Sequence, residues 1–159
     1  SKNLKVIWSG IFDFEDLYIG MKDWLEFKGY GDEKETFKET RYEERILGDA
    51  KKLEIAWHAE RKFGPYLSNV IQVLFQVINL REVEIEKEGV KLKANRGDIE
   101  IRLSGKIIKD PQNKLNNLTQ LFYDKVLFKS RIEEHKNAMY NLVYSFHKEI
   151  KTFLELKQF

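Results

Sequence analysis

The sequence predicts an α+β fold: a curved antiparallel sheet of about six to seven strands packed on a long C-terminal helix, with one helix after the first strand. Residues 130–156 contain neither glycine nor proline and repeat apolar residues every three or four positions, which predicts a long amphipathic helix. Residues 35–108 alternate polar and apolar residues between turn signals, which predicts an antiparallel meander. The meander offers the apolar surface that the helix needs.

Length and composition predict a single domain over residues 1–159. Its parts are a strand and helix at 4–28, the meander at 35–108 and a C-terminal helical region at 115–156. Hydrophobic residues make up 42% of the chain and charged residues 34%, a globular composition with a heavily charged surface. The net charge of +2 provides no strong field that would attract nucleic acid.

The composition also limits the chemistry and the compartment. The chain has no cysteine, which excludes disulfides, thiolate metal sites and cysteine nucleophiles. No apolar run is long enough to span a membrane, and the first residues lack the apolar segment of a secretory signal. These features favour a cytoplasmic protein without a membrane span. The bias toward lysine and glutamate, with no cysteine and few methionines, is typical of a thermophilic source, archaeal ones among them, or of an AT-rich genome.

The first elements carry clear boundary signals. Residues 5–12 predict a strand. Asp13 stands where a helix N-cap is expected, and Asp16 follows three positions later, close to a capping-box pattern. An amphipathic helix is therefore expected over 14–28, and Gly29 is available for the left-handed position that ends it.

Residues 35–47 are nearly all charged, threonine or aromatic. They predict an exposed strand stabilised by cross-strand charge pairs, with a solvated helix as the alternative. Strict alternation would place one set of side chains on a common side of this strand: Phe37, Glu39, Arg41, Glu43 and Arg45.

The centre of the meander is the most apolar part of the chain. Residues 52–63 alternate so that Leu53, Ile55, Trp57 and Ala59 point inward, while His58 points outward. Residues 69–80 are apolar on both faces, which predicts a central strand covered on both sides or a strongly bent strand.

Turn signals divide the rest of the meander. Residues 83–94 predict a hairpin that turns at Glu88 and Gly89. Residues 95–98 predict another turn, followed by a last strand over 99–108. Gly105 is expected to mark a bulge or a bend in that strand.

The C-terminal region begins with a helical stretch over 115–129. Ser130 and Glu133 have the spacing of a capping box, which predicts a break or bend near Ser130. One continuous helix is the alternative.

The order of strand, helix, meander and long C-terminal helix resembles the helix-grip fold of the Bet v 1 and START-like proteins. No sequence motif carries this resemblance. The chain has one predicted helix after the first strand where the family usually has two, and it lacks the glycine-rich loop of plant members. The resemblance implies an apolar cavity between sheet and helix that holds a hydrophobic ligand.

Residues that could line such a cavity come from the meander and from the C-terminal helix. Apolar walls with a few polar groups are typical of small-molecule sites. The candidate ligand-binding residues are Trp57, Gln72, Gln76, His135, Met139, Tyr140 and Tyr144.

Each polar candidate also has a structural interpretation. His135 interrupts the apolar stripe of the helix, so it could orient a ligand or bond to a backbone carbonyl. Tyr140, Tyr144 and His147 share one side of the helix, where their rings could pack and leave the hydroxyls in water. Gln72 and Gln76 could instead lie on a solvent-facing side of the sheet.

Catalytic motifs are missing from the sequence. It has no phosphate loop, dinucleotide fingerprint, hydrolase elbow or zinc-protease spacing, so no catalytic residue, metal or cofactor is predicted. The predicted function is a non-enzymatic binding domain that holds a hydrophobic small molecule or apolar segment between the sheet and the C-terminal helix. The alternative is a protein–protein interaction or assembly module with a filled core and no ligand, as a homo-oligomer or with a protein partner.

Overall fold

The computed structural model describes residues 2–109, Leu118 and residues 129–156. Its strands form one antiparallel sheet in the order β1-β5-β4-β3-β2. The elements in chain order are β1 (Lys2–Phe12), α1 (Phe14–Phe27), β2 (Phe37–Leu47), β3 (Ala50–Lys62), β4 (Leu67–Lys87), β5 (Val90–Lys109) and α2 (Lys129–Leu156).

The α+β class is confirmed, with one helix after the first strand and a long C-terminal helix. The described sheet has five strands rather than the six to seven that the sequence predicts. Leu118 is helical. Otherwise the predicted helix over 115–129 lies almost wholly outside the described residues, so the break near Ser130 stays a prediction.

The strand count differs because β4 and β5 each run through two predicted strands. The turn predicted at 95–98 is wrong, since these residues pair with both β1 and β4. The irregularity lies on the other strand, where Asn79 has a φ of 54° and the register shifts between Ile78 and Arg81. A Cβ on Gly97 would lie 3.0 Å from the Ile78 carbonyl oxygen, so this glycine admits a close backbone approach instead of forming a turn.

A second bulge divides β2. Its register with β3 shifts between Glu39, which lies opposite Trp57, and Arg41, which lies opposite Ala56. Directly opposed residues share a face, so Glu39 and Arg41 point to opposite faces of the sheet. The exposed strand is confirmed. The common side predicted for Phe37, Glu39, Arg41, Glu43 and Arg45 is wrong.

The two helices cover one face of the sheet, which we call the inner face. The inward alternation of β3 and the apolar stripe of α2 are both confirmed, and Trp24 of α1 stacks on Phe146 of α2 with ring centroids 4.8 Å apart. The core includes Leu17, Met21 and Leu25 of α1, Leu53, Ile55, Trp57 and Ala59 of β3, Phe75 of β4, Ile101 of β5, and Met139, Val143, Phe146, Ile150 and Leu154 of α2.

Local signals at both ends of α1 are confirmed. The Asp13 carboxylate accepts a hydrogen bond of 3.0 Å from the backbone N–H of Asp16. After the helix, Gly29 has a φ of +83°, and the Tyr30 N–H donates to the Leu25 carbonyl at 2.8 Å. The chain therefore turns sharply toward β2.

Gly105 has a different role from the one predicted. The ladder to β4 continues through Gly105 without a bulge, and Gly105 pairs regularly with Lys2 of β1. A Cβ at this position would lie 3.0 Å from Cγ2 of Val143 and 3.1 Å from Sδ of Met139. The missing side chain thus allows α2 to pack closely on β5.

Candidate functional site

Trp57, the first predicted site residue, is a core anchor with 1% of its surface exposed. Its ring lies 4.8 Å from the Tyr18 ring and 4.8 Å from the Phe75 ring, in edge-to-face geometry. Its Nε1–H donates to Glu39 at 3.2 Å. The one polar group of Trp57 is therefore already used within the fold.

Gln72 and Gln76 lie on the opposite face of the sheet, which we call the outer face. Gln72 is opposite His58 on one side and Ser104 on the other. Both glutamine side chains are exposed. The structure therefore does not bring them together with Trp57 or with α2, and places them on the solvent-facing side that the sequence left as an alternative.

The predicted α2 residues have separate surroundings. Met139 is buried against Gly105, whereas Tyr144 is 48% exposed. Tyr140 is half-buried at the edge of the core, with Nζ of Lys136 5.8 Å from its ring centroid.

The two histidines of α2, His135 and His147, make different contacts. The His135 ring packs edge-on against Phe63, in the connection between β3 and β4, with centroids 4.5 Å apart. His147 instead makes the backbone contact, with Nε2 2.8 Å from the carbonyl oxygen of Lys5. The sequence suggested a bond to a backbone carbonyl for His135, but the structure places such a contact at His147.

Among the described residues, little space is left where α1 and α2 meet on the inner face. A pocket of about 20 Å³ lies between Trp24, Phe146 and Phe153. That volume suits about one water molecule. The ligand predicted between sheet and helix therefore stays a prediction, without support from the packing of the described side chains.

The outer face contains a much larger opening, which we call the outer groove. It has a volume of about 840 Å³ and crosses β1, β5, β4 and β3. One cross-strand row of its lining is polar and uncharged, namely Asn3, Ser104, Gln72 and His58. The adjacent row combines two cations with an apolar floor, namely Lys5, Arg102, Leu74 and Ala56.

His58 is the titratable ring of the outer groove. Burial, with the nearby charges of Lys106 and Lys38, lowers its pKa below 6.5, and only Glu60 opposes this shift. At pH 7 the ring is therefore neutral, with one nitrogen that donates a hydrogen bond and one that accepts.

The cations of the outer groove lie at the β1 and β5 end. Arg102 Nε donates to Glu100 at 2.8 Å, and this bond lowers the pKa of the Glu100 carboxyl. A guanidinium carries five N–H donors, so Arg102 can bind a further acceptor while it holds Glu100. Lys5, directly opposite Arg102, adds a second positive charge.

Sequence reasoning found Gln72 but missed His58, Ser104, Arg102 and Lys5 as its neighbours. The available signal was a set of uncharged polar residues at outward positions on separate strands. Alternation gives the face of each residue, but only the register between strands shows which residues are adjacent.

The described residues limit other kinds of site. Within 2–109, 118 and 129–156, no group of three histidine, aspartate or glutamate side chains could hold a metal ion. None of the helices in this part of the chain is long and apolar enough to cross a membrane.

No family model, no curated protein and no solved structure gives a significant match to this chain.

Proposed function

We propose that the protein is a non-enzymatic binding domain whose outer groove holds a small molecule with a flat apolar body and an anionic group. The observation that carries this proposal is the outer groove itself, with an apolar floor, a neutral polar row and cations at one end. Its volume of about 840 Å³ falls within the range of about 300–1,000 Å³ typical of ligand sites.

The apolar floor is the reason for proposing a ligand with a flat apolar body. Leu74 and Ala56 lie side by side on β4 and β3, and both are half-buried. A planar ring resting on them would remove apolar surface from water on both molecules. The neighbouring His58 and Gln72 side chains supply donors and acceptors at its rim.

The positively charged side chains are the reason for proposing an anionic group on the ligand. Lys5 and Arg102 face each other across β1 and β5, and Lys38 and Lys106 lie near His58. A carboxylate, sulfonate or phosphate bound at the β1 and β5 end would be attracted by this local excess of positive charge.

Binding fits the outer groove better than catalysis. Ser104 and Thr40 supply the hydroxyl groups of the lining, and His58 supplies the base. Thr40 donates to the Ala56 carbonyl at 3.4 Å, whereas β4 separates the strands of Ser104 and His58. Neighbouring strands lie about 4.8 Å apart, so the two side chains start from backbones roughly 10 Å apart. A nucleophile and its base need hydrogen-bond contact.

The helix-grip resemblance is the second basis for a ligand-binding function. The order of elements supports it, and it implies a ligand of the same apolar class on the inner face. The predicted α2 residues Met139 and Tyr140 do not line the outer groove, and Leu74 and Arg102 were not predicted for the inner site, so one titration distinguishes the two sites.

The test uses anilinonaphthalene sulfonate, a fluorescent probe with a flat apolar body and one anionic group. Arg102→Gln should weaken its binding about two- to fivefold, the effect of one exposed charge contact. Leu74→Glu, which places a negative charge on the floor, should abolish binding. Ile78→Glu is the matched control, because Ile78 lies further along β4 on the same face and is 45% exposed.

Protonation of His58 gives an independent measurement. The sulfonate stays ionised, so its binding should tighten as pH falls through the lowered pKa of His58, and His58→Gln should remove this dependence. Unchanged binding by Leu74→Glu, with NMR shifts at Met139 and Tyr140, would overturn the outer groove in favour of the inner face.

The second candidate function is the assembly module. It is favoured by the packed interior of the described residues and by the exposed edge strand β2, whose side chains beyond Phe37 are all exposed.

A further inference from the structure

The two edge strands of the sheet, β1 and β2, differ in what lies beside them. At the β1 edge, α2 packs alongside and His147 contacts the Lys5 carbonyl oxygen at 2.8 Å. β2 forms the other edge, and within the described residues no strand pairs with its free side. An edge strand presents unpaired N–H and C=O groups, which form a template for another strand.

The bulge-free part of β2, residues 41–47, is complementary to itself. Consider two copies aligned antiparallel with Glu44 at the two-fold axis. Glu43 then lies opposite Arg45 of the second copy, and Tyr42 lies opposite Ile46 of the second copy. The symmetry repeats each pair. Opposite charges and aromatic–β-branched pairs at directly opposed positions stabilise antiparallel strands.

This alignment also covers the exposed apolar residues of the strand. Tyr42 is 53% exposed, Ile46 is 71% exposed and Leu47 is 64% exposed. Pairing would place all of them against side chains of the second copy. Isolated exposed apolar residues are ordinary, but here they lie on an edge that no described strand pairs, and Tyr42 and Ile46 match each other across the two copies.

One contact in this alignment is unfavourable, since Glu44 faces Glu44 of the second copy. Each Glu44 carboxylate already lies 3.1 Å from Nζ of Lys51 in its own chain, and this neighbouring cation offsets the repulsion. Centring the pair on Tyr42 would match Arg41 with Glu43, but it would place the bulge at Thr40 within the ladder. The alignment on Glu44 avoids the bulge.

We infer that β2 is a homodimer interface, in which residues 41–47 pair antiparallel with the same residues of a second copy about Glu44. The two sheets then form one continuous sheet. The inference is independent of the outer groove.

The test measures self-association by analytical ultracentrifugation over a dilution series. Glu43→Arg and Arg45→Glu should each raise the dimer dissociation constant about tenfold, because like charges then face each other at both symmetric positions. Both substituted side chains are exposed, and Glu43→Arg removes only an exposed ion pair with Arg41 of its own chain, so unfolding curves should stay close to those of the original protein. Glu86→Arg, an exposed charge reversal near the tip of β4, is the control and should leave the dimer unchanged.

The two charge-reversal variants also allow a rescue experiment, in which dimer affinity is recovered. Mixing the two single variants should give heterodimers with the original affinity, because opposite charges meet again. The double variant E43R/R45E should restore the homodimer, whereas the alignment on Tyr42 would place like charges at positions 41 and 43. A protein that stays monomeric at all concentrations, or a dimer that is insensitive to these reversals, would overturn the inference.

Discussion

The inner and outer faces of the sheet are built from alternate residues of the same strands, yet they differ in almost every property. On β3 the inner residues Ile55 and Trp57 are at most 1% exposed, while their neighbours Ala56 and His58 are half-buried. The inner face is closed by helices, and the outer face carries an open groove of about 840 Å³. The inner face therefore carries most of the buried core, and the proposed binding site lies on the outer face, so substitutions on the two faces should have separate effects.

The largest effect on stability should come from the inner face at Phe146. This side chain is 1% exposed and stacks on Trp24. Phe146→Ala should reduce the free energy of unfolding by about 3–5 kcal/mol, through lost burial and a residual cavity. Lys148→Ala, at an exposed position of α2, should change it by less than about 0.5 kcal/mol. Urea denaturation measures both, and equal effects would contradict the assigned helix face.

A smaller loss is expected where α2 meets β5. Gly105→Ala would add a methyl group 3.0 Å from Cγ2 of Val143. Overpacking should destabilise the protein by about 1–2 kcal/mol, after a partial offset from the lower entropy of the unfolded chain. Ser104→Ala, the neighbouring residue in the outer groove, is the control and should have little effect on the same urea curves. A stabilised Gly105→Ala variant would show that α2 can shift away from the sheet.

The rim of the inner face can be tested at Tyr18, which packs on Trp57. Its hydroxyl donates to Glu39, and Tyr18→Phe should cost about 0.5–1.5 kcal/mol at neutral pH. Burial, followed by the hydrogen bond to Glu39, raises the pKa of Tyr18 to about 12. The unfolded chain ionises nearer pH 10, so this contribution to stability is complete below pH 10 and is lost as pH rises toward 12.

Denaturation curves at a series of alkaline pH values measure this dependence. The loss of stability at high pH should be smaller in Tyr18→Phe than in the original protein. Tyr30, whose pKa burial also raises, is present in both proteins and accounts for the remaining loss. Identical curves for the two proteins would contradict the Tyr18 contact.

The smallest effect on stability is expected on the outer face. Gln72→Ala should change the free energy of unfolding by less than about 0.5 kcal/mol, because its side chain is exposed on the outer face. The same substitution should weaken binding of the fluorescent sulfonate. A large loss of stability would mean that the two faces are not energetically separate.

The signals that predicted structure correctly are local ones. Asp13 caps α1 because an N-cap needs only its own helix, and the alternation of β3 gives its inner face from period two alone. The stripe of α2 likewise fixes which side of the helix meets the sheet. The sequence by itself therefore determined the α+β class, both described helices and most of the inner core.

Only the tertiary structure decided where strands continue and which residues are neighbours. Gly97 and Gly105 look like turn and bulge signals, but each is required by a contact with a distant element, β4 for Gly97 and α2 for Gly105. Bulges likewise depend on the partner strand: one lies in β4 opposite Gly97, and another in β2 reverses the face of the residues that follow it, as Glu39 and Arg41 show. Lys5 and Arg102 become neighbours through register, which depends on pairing energies between strands rather than on any pattern within one. The outer groove therefore exists only once the sheet is assembled.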